Sequence, residues 1–136
     1  MMLNKKVMKC HLVVAYIFFL NLPFQVSAQQ HRIDSLQRKL NIITDIHTKV
    51  NILEELFANY ARINVDSSYY TSQQLLTLAH GSNDVNLASI AHRVLGTFHS
   101  QVGDRDSAIY YLEMALDEAD EAQNHKERGR TLRNLG

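Results

Sequence analysis

From residue 46 onward, apolar positions along the chain recur every three or four residues. Leu87, Ala91, Leu95, Phe98 and Val102 fall on one helical face. The stretch Gly103–Asp106 interrupts the pattern: Gly103 suits a left-handed helix end and Asp104 a helix start. A second stripe follows at Ala108, Leu112, Ala115, Ala119 and Ala122, mostly small, as a close antiparallel helix pair requires. An earlier segment has the same plan. Ile52, Leu53, Leu56, Phe57, Tyr60 and Ile63 build one helix, and Ser68, Ser72, Leu75 and Ala79 the next. Ahead of it, the segment from His31 places Ile33, Leu36 and Leu40 on one side of a short leading helix. The pattern predicts a capping helix over 29–45, helical hairpins over 46–80 and 84–124, and one further helix over 125–136. The inter-unit loops are expected at His80–Asn86 and Ala122–Arg128.

Sliding the chain against itself shows that the hairpins repeat. At an offset of 40 residues, Asp66, Ser67, Tyr70, Leu76 and Ala79 fall on Asp106, Ser107, Tyr110, Leu116 and Ala119, and Leu95–Gly96 falls on Leu135–Gly136. Upstream the offset is 39: Leu56, Tyr60 and Ile63 fall on Leu95, His99 and Val102. Glycine in a helix interior costs about 0.5–1 kcal/mol relative to alanine. A recurrent one therefore predicts a neighbouring helix passing where a side chain would collide. In the first unit Phe57 takes the glycine's place, and Ser68 and Ser72 stand for Ala108 and Leu112. The closing Leu-Gly reads as the first helix of an incomplete third unit. Its Leu132 and Leu135 have no following helix, so the chain reads as the front of a longer protein, or as one whose exposed side a partner or second copy covers.

Composition changes the picture at the amino terminus. Lys5, Lys6 and Lys9 precede an apolar stretch, Leu12–Leu20, and then Val26-Ser27-Ala28, the order of a secretory signal peptide. Asn21, Pro23 and Gln25 interrupt the stretch well short of the ~20 apolar residues a membrane span needs. Cleavage is expected after Ala28, giving an exported, periplasmic or secreted protein. The remainder has no cysteine and no proline, with 11 basic against 14 acidic groups, a net charge of −3. No disulfide framework can form, and mild acidity argues against nucleic acid. With few glycines and abundant Leu, Ala, Glu and Gln, the fold class is all-α.

Candidate chemistry is sparse. His92 and His99 lie seven apart on one helix without the closely spaced third ligand that zinc sites require, so both read as packed histidines and no metal or cofactor is expected. The acid pairs Glu54–Glu55 and Asp120–Glu121 read as solvated faces, and Tyr69–Tyr70 and Tyr110–Tyr111 as packing residues. There is no phosphate-cradling glycine loop, nucleophile elbow or thiol nucleophile, so catalysis is not expected.

Leu95, Gly96, Ala108, Leu112 and Ala115 resemble the helix-turn-helix signature of the tetratricopeptide repeat (TPR) family over residues 46–136. His99 stands for its first aromatic, Leu112 for its second and Asp120 for its closing proline. The opening tryptophan is missing, and the unit exceeds the usual ~34 residues. The resemblance implies a TPR-like α-solenoid of about two full repeats plus the start of a third, with a concave groove that binds protein or peptide without catalysis. It is strongest to exported members that precede a sensor histidine kinase or a helix-turn-helix regulator, so the segment is expected to be an interaction scaffold or, alternatively, the input region of such a protein. By position the groove would use Asn51, Glu54, Ala58 and Arg62, then Arg93, Thr97, Ser100 and Gln101, then Arg130 and Arg133. Arg93 and Arg133 occupy equivalent places and would form a basic ladder for an acidic peptide. The expected partners are a protein or acidic peptide, or a second copy through the uncapped last helix; contact with a membrane is expected only through the leader or a continuation.

Overall fold

The computed structural model describes residues 27–136; the leader expected over 1–28 lies, up to Val26, outside the described residues. Two compact units divide the chain, Met1–Ser35 and Leu36–Gly136. Helix α1 is described over 27–42; in the first unit Gln30 Nε2 donates to Asp34 Oδ1 one turn away, at 2.9 Å. The second unit adds α2 (Ile46–Tyr60), α3 (Val65–Ser82), α4 (Val85–Val102), α5 (Arg105–Glu121) and α6 (His125–Leu135). Every regular element among the described residues is a helix.

Each of α2–α6 starts on an Asp or Asn whose side chain accepts from a backbone N–H in the first turn: Asp45, Asn64, Asp84, Asp104 and Asn124. Those donors have no partner inside the helix, so a short acceptor at that position fixes where the helix begins. Thr48's hydroxyl and backbone N–H hold Asp45's carboxyl below its ordinary pKa, and Ser107 does the same for Asp104, because both bonds favour the charged form. Left-handed residues stop α3 and α4, Asn83 at φ 55° and Gly103 at φ 82°. The Gly103 N–H bonds back to α4 carbonyls, as the sequence predicts.

Successive helices of α2–α6 pack on one another, and α4 also touches α2 and α6. This is the contact pattern of hairpins stacked in register. Leu75, Leu87, Ala91, Val94, Leu95, Leu112, Ala115 and Ala119 are each 2% exposed or less, so the predicted stripes of α4 and α5 make the centre of the core. Gly96 explains the tight α4–α5 seam. A Cβ built there would lie 2.7 Å from Leu112 Cγ and 3.1 Å from the Ala108 carbonyl oxygen, well inside the ~3.5–4.0 Å of carbon contact. In the first unit the sizes are exchanged. Phe57 is buried where the glycine would stand, and Ser68 and Ser72, both buried, replace Ala108 and Leu112. Each hydroxyl donates to a carbonyl three residues back, Val65 O and Tyr69 O, so burial leaves no donor unmade.

Several expectations need correcting. The loop expected at 80–86 contracts to Asn83 and Asp84, because Asn83 takes the left-handed turn and Asp84 caps α4 at once. Between α5 and α6 only Ala122–Asn124 lie outside a helix. Ile63 and Val102, placed on core stripes by periodicity, are 51% and 48% exposed: Ile63 lies past the end of α2 and Val102 is the last residue of α4. In α6 the buried residues are Glu127, inside the stretch expected as loop, and Thr131. Leu132, expected on an uncovered side, is 40% exposed, and Leu135 lines a cavity with Ala108 and Leu112 of α5.

Candidate functional site

The first helices of the successive units, α2, α4 and α6, meet around four charged side chains. The Arg93 guanidinium on α4 donates from Nη2 to Glu54 Oε1 on α2 and from Nε to Glu127 Oε1 on α6. Arg130 Nη1 completes the cluster, 3.4 Å from Glu127 Oε2 and 3.5 Å from Glu54 Oε1. Burial is deep for the central pair: the side chain of Glu127 is 2% exposed and that of Arg93 is 11%. Two guanidinium groups balance two carboxylates. A fork of fixed N–H donors lets one arginine bind carboxylates on both neighbouring helices. A little further along, Asn134 Nδ2 donates to Thr97 Oγ1 at 2.8 Å, again linking α6 to α4, while the Thr97 hydroxyl donates to Arg93 O.

These contacts rearrange the expected groove. Glu54, Arg93, Thr97 and Arg130 do come together on one face. Arg93, expected as one rung of a basic ladder, has its charge taken up by Glu54 and Glu127, whereas its repeat equivalent Arg133 stands exposed. Glu54 is correspondingly not on a solvated face. Asn51, Ala58, Arg62, Ser100, Gln101 and Arg133 are exposed and none is part of the ion cluster. Glu127 went unforeseen: the repeat aligns it with Leu87, and nothing in a lone glutamate at a helix start announces burial.

The histidines are packed, as expected, and their arrangement is specific. Tyr111 of α5 lies between the α4 rings, stacked on His92 with centroids 6.1 Å apart and on His99 at 5.4 Å. His92 Nδ1 is 2.7 Å from Glu118 Oε2, and His99 Nδ1 is 3.1 Å from Asp104 Oδ2. His99 thus fills an aromatic position while also contacting the α5 cap. Tyr70 and Tyr110, expected to pack, are instead 64% and 60% exposed. Among the described residues no group of three or more His, Cys, Asp or Glu side chains is placed to hold a metal ion. No described helix is long and apolar enough to cross a membrane.

Stacked hairpins, a glycine seam and first helices sharing a face are the architecture of a tetratricopeptide array, and residues 23–104 match the family described as SusR N-terminal TPR domain. The chain belongs to that family. The match runs to Asp104, the cap of α5; α5 and α6 extend the same repeat beyond it. No curated protein and no solved structure matches the chain. TPR domains are in general scaffolds for protein interaction and typically carry no catalysis.

Proposed function

We propose that this TPR domain is an exported scaffold that binds a peptide or protein segment across α2, α4 and α6, with Arg62 and Arg133 favouring an acidic ligand. The observation that supports this reading is the cross-helix cluster of Glu54, Arg93, Glu127 and Arg130, which ties the three first helices into one surface. Its charges cancel internally, so selectivity falls to the side chains around it: the exposed Asn51, Ala58, Ser100 and Gln101 and the half-buried Thr97 for shape and hydrogen bonding, Arg62 and Arg133 for charge. The test is fluorescence anisotropy with labelled peptides ending in acidic residues and a free carboxylate. Arg133→Glu and Arg62→Glu should each weaken binding about tenfold, equivalent to ~1.4 kcal/mol. Unchanged affinity in both variants would remove these residues from the site.

A second reading is favoured by the family's description as an N-terminal domain. The scaffold is then the input region of a longer signalling chain, a sensor histidine kinase or a helix-turn-helix regulator, and sequence read past Gly136 distinguishes the two. Export rests on the basic, apolar and small-residue succession of residues 5–28. Fractionation of cells and the mass of the mature amino terminus test it, with cleavage expected after Ala28.

A further inference from the structure

The geometry points to a second peptide site, on the side of α2 turned away from the ion cluster, for an extended segment of six or seven residues with an apolar centre and opposite charges at its two ends. Two adjoining cavities of about 510 and 720 Å³ run between the end of α1, α2 and α3 and share Leu40, Asn41, Tyr70 and Gln74 in their walls. At about 100° per residue, the α2 residues lining them, such as Lys49, Leu53 and Leu56, lie opposite Asn51, Glu54 and Ala58. This groove is therefore separate from the face proposed above.

Length and chemistry select the occupant. The α3 wall runs from Asp66 to Gly81, roughly 22 Å at 1.5 Å per residue, which an extended chain at about 3.3 Å per residue spans with six or seven residues. Leu40, Leu53 and Leu78 give apolar lining, and Tyr70 presents an exposed ring above it. Asn41, Gln73 and Gln74 are uncharged amides, each able both to donate and to accept, as a peptide backbone requires. Among the described residues that line the groove, only Lys49 and Asp66 are charged. They sit at opposite ends, because α2 and α3 run antiparallel about a short turn. A ligand with an acidic group at the Lys49 end and a basic group at the Asp66 end complements both.

The repeat supplies an internal contrast. At the 40-residue offset, Gln73, Thr77, Leu78 and Gly81 correspond to Glu113, Asp117, Glu118 and Glu121 on α5. The second unit thus carries four acids where the first carries amide, hydroxyl, aliphatic and glycine positions. On α5, Glu113, Asp117 and Glu121 form an ordinary solvated face, while Glu118 turns to His92. The neutral, partly apolar face of α3 is the exception.

The experiment uses the full chain and two fluorescein-labelled peptides, Lys-Val-Thr-Leu-Thr-Val-Glu and its reverse, in anisotropy titrations. At least one should bind saturably. Lys49→Glu should weaken it tenfold or more and transfer preference to the peptide whose glutamate is replaced by lysine. Tyr70→Ser should weaken it as well, and Arg133→Glu should leave it unchanged. Gln73→Glu, which gives α3 the acid that α5 carries at Glu113, is the second reporter if either groove variant lowers the melting temperature. The assignment is overturned by absence of saturable binding, by binding insensitive to the groove variants, or by loss of binding in Arg133→Glu. It is equally overturned if only a 14-residue amphipathic helix binds, or if sedimentation shows a dimer that Tyr70→Ser dissociates. Failure of acidic peptides at the first-helix face leaves these readouts unaffected, so the two sites fail separately.

Discussion

Replacing Gly96 with alanine sets two known effects against each other at one carbon. In a free helix the change is favourable by about 1 kcal/mol, because alanine loses less backbone entropy. Here the new methyl meets Leu112 Cγ at 2.7 Å and the Ala108 carbonyl oxygen at 3.1 Å. The first contact is about 1 Å too short. Neither atom is the far end of a flexible chain: Cγ is the branch point of a side chain 2% exposed, and the oxygen belongs to helical backbone. Relief requires α5 to move off α4 along the whole seam, and overpacking of this kind costs about 1–3 kcal/mol. Two contacts on atoms that cannot swing aside put the cost in the upper half of that range, about 2–3 kcal/mol. The clash therefore wins by about 1–2 kcal/mol, with a melting temperature lower by roughly 4–8 °C per kcal/mol for a domain of this size. Thermal and urea unfolding followed by circular dichroism measure it. The cause is checked in the Leu112→Ala background, where the shortest contact is gone and only the Ala108 oxygen stays close, so Gly96→Ala should destabilise by much less than in the wild type. A Gly96→Ala protein as stable as wild type, or a penalty undiminished without the leucine, refutes the close-approach account.

The same substitution at Gly129, inside α6 with nothing within 4 Å of an added Cβ, should stabilise by about 0.5–1 kcal/mol in the same melts. Arg93→Leu strands Glu127 in a buried site and should cost roughly 3 kcal/mol in urea unfolding, and the double change with Glu127→Leu should recover most of that loss. Asp104's carboxyl is held below its ordinary pKa in the folded protein, so its contribution is present above the unfolded value and disappears as pH falls through the folded one. The stability gap between wild type and Asp104→Asn should therefore be largest near neutrality and close below about pH 4, read as urea midpoints across pH. A gap that widened towards acid would reverse that sign.

The helices were legible because their signals are local. An Asp or Asn before an apolar stripe and a glycine after it specify a start and a stop without reference to any distant residue, and Gly103–Asp104 delivered both. The repeat added long-range information: a glycine recurring 40 residues apart marked the seam between α4 and α5. The errors fall where local composition conflicts with a tertiary requirement. His80–Ser82 read as loop because glycine and serine are poor helix formers, yet α3 continues until Asn83 can turn left-handed. Glu127 read as part of a polar loop because it is charged, yet the side of α6 that meets α4 is the one bearing it and Thr131.

The ion cluster shows why a binding face is harder to read than a fold. Apolar residues announce burial by type, whereas a charge can stand on an exposed surface or inside a satisfied pair, and only its partners decide which. Arg93 and Arg133 are equivalent in the repeat and chemically identical, and repeat logic gave them one role. The structure separates them through their neighbours, since Arg93 has a glutamate on each adjoining first helix and Arg133 stands exposed. Arg93 serves the array by locking helix to helix, and that is why charge reversal at Arg133, not at Arg93, tests ligand binding. Reversal at Arg93 would set three negative charges together around a buried glutamate and report on folding instead.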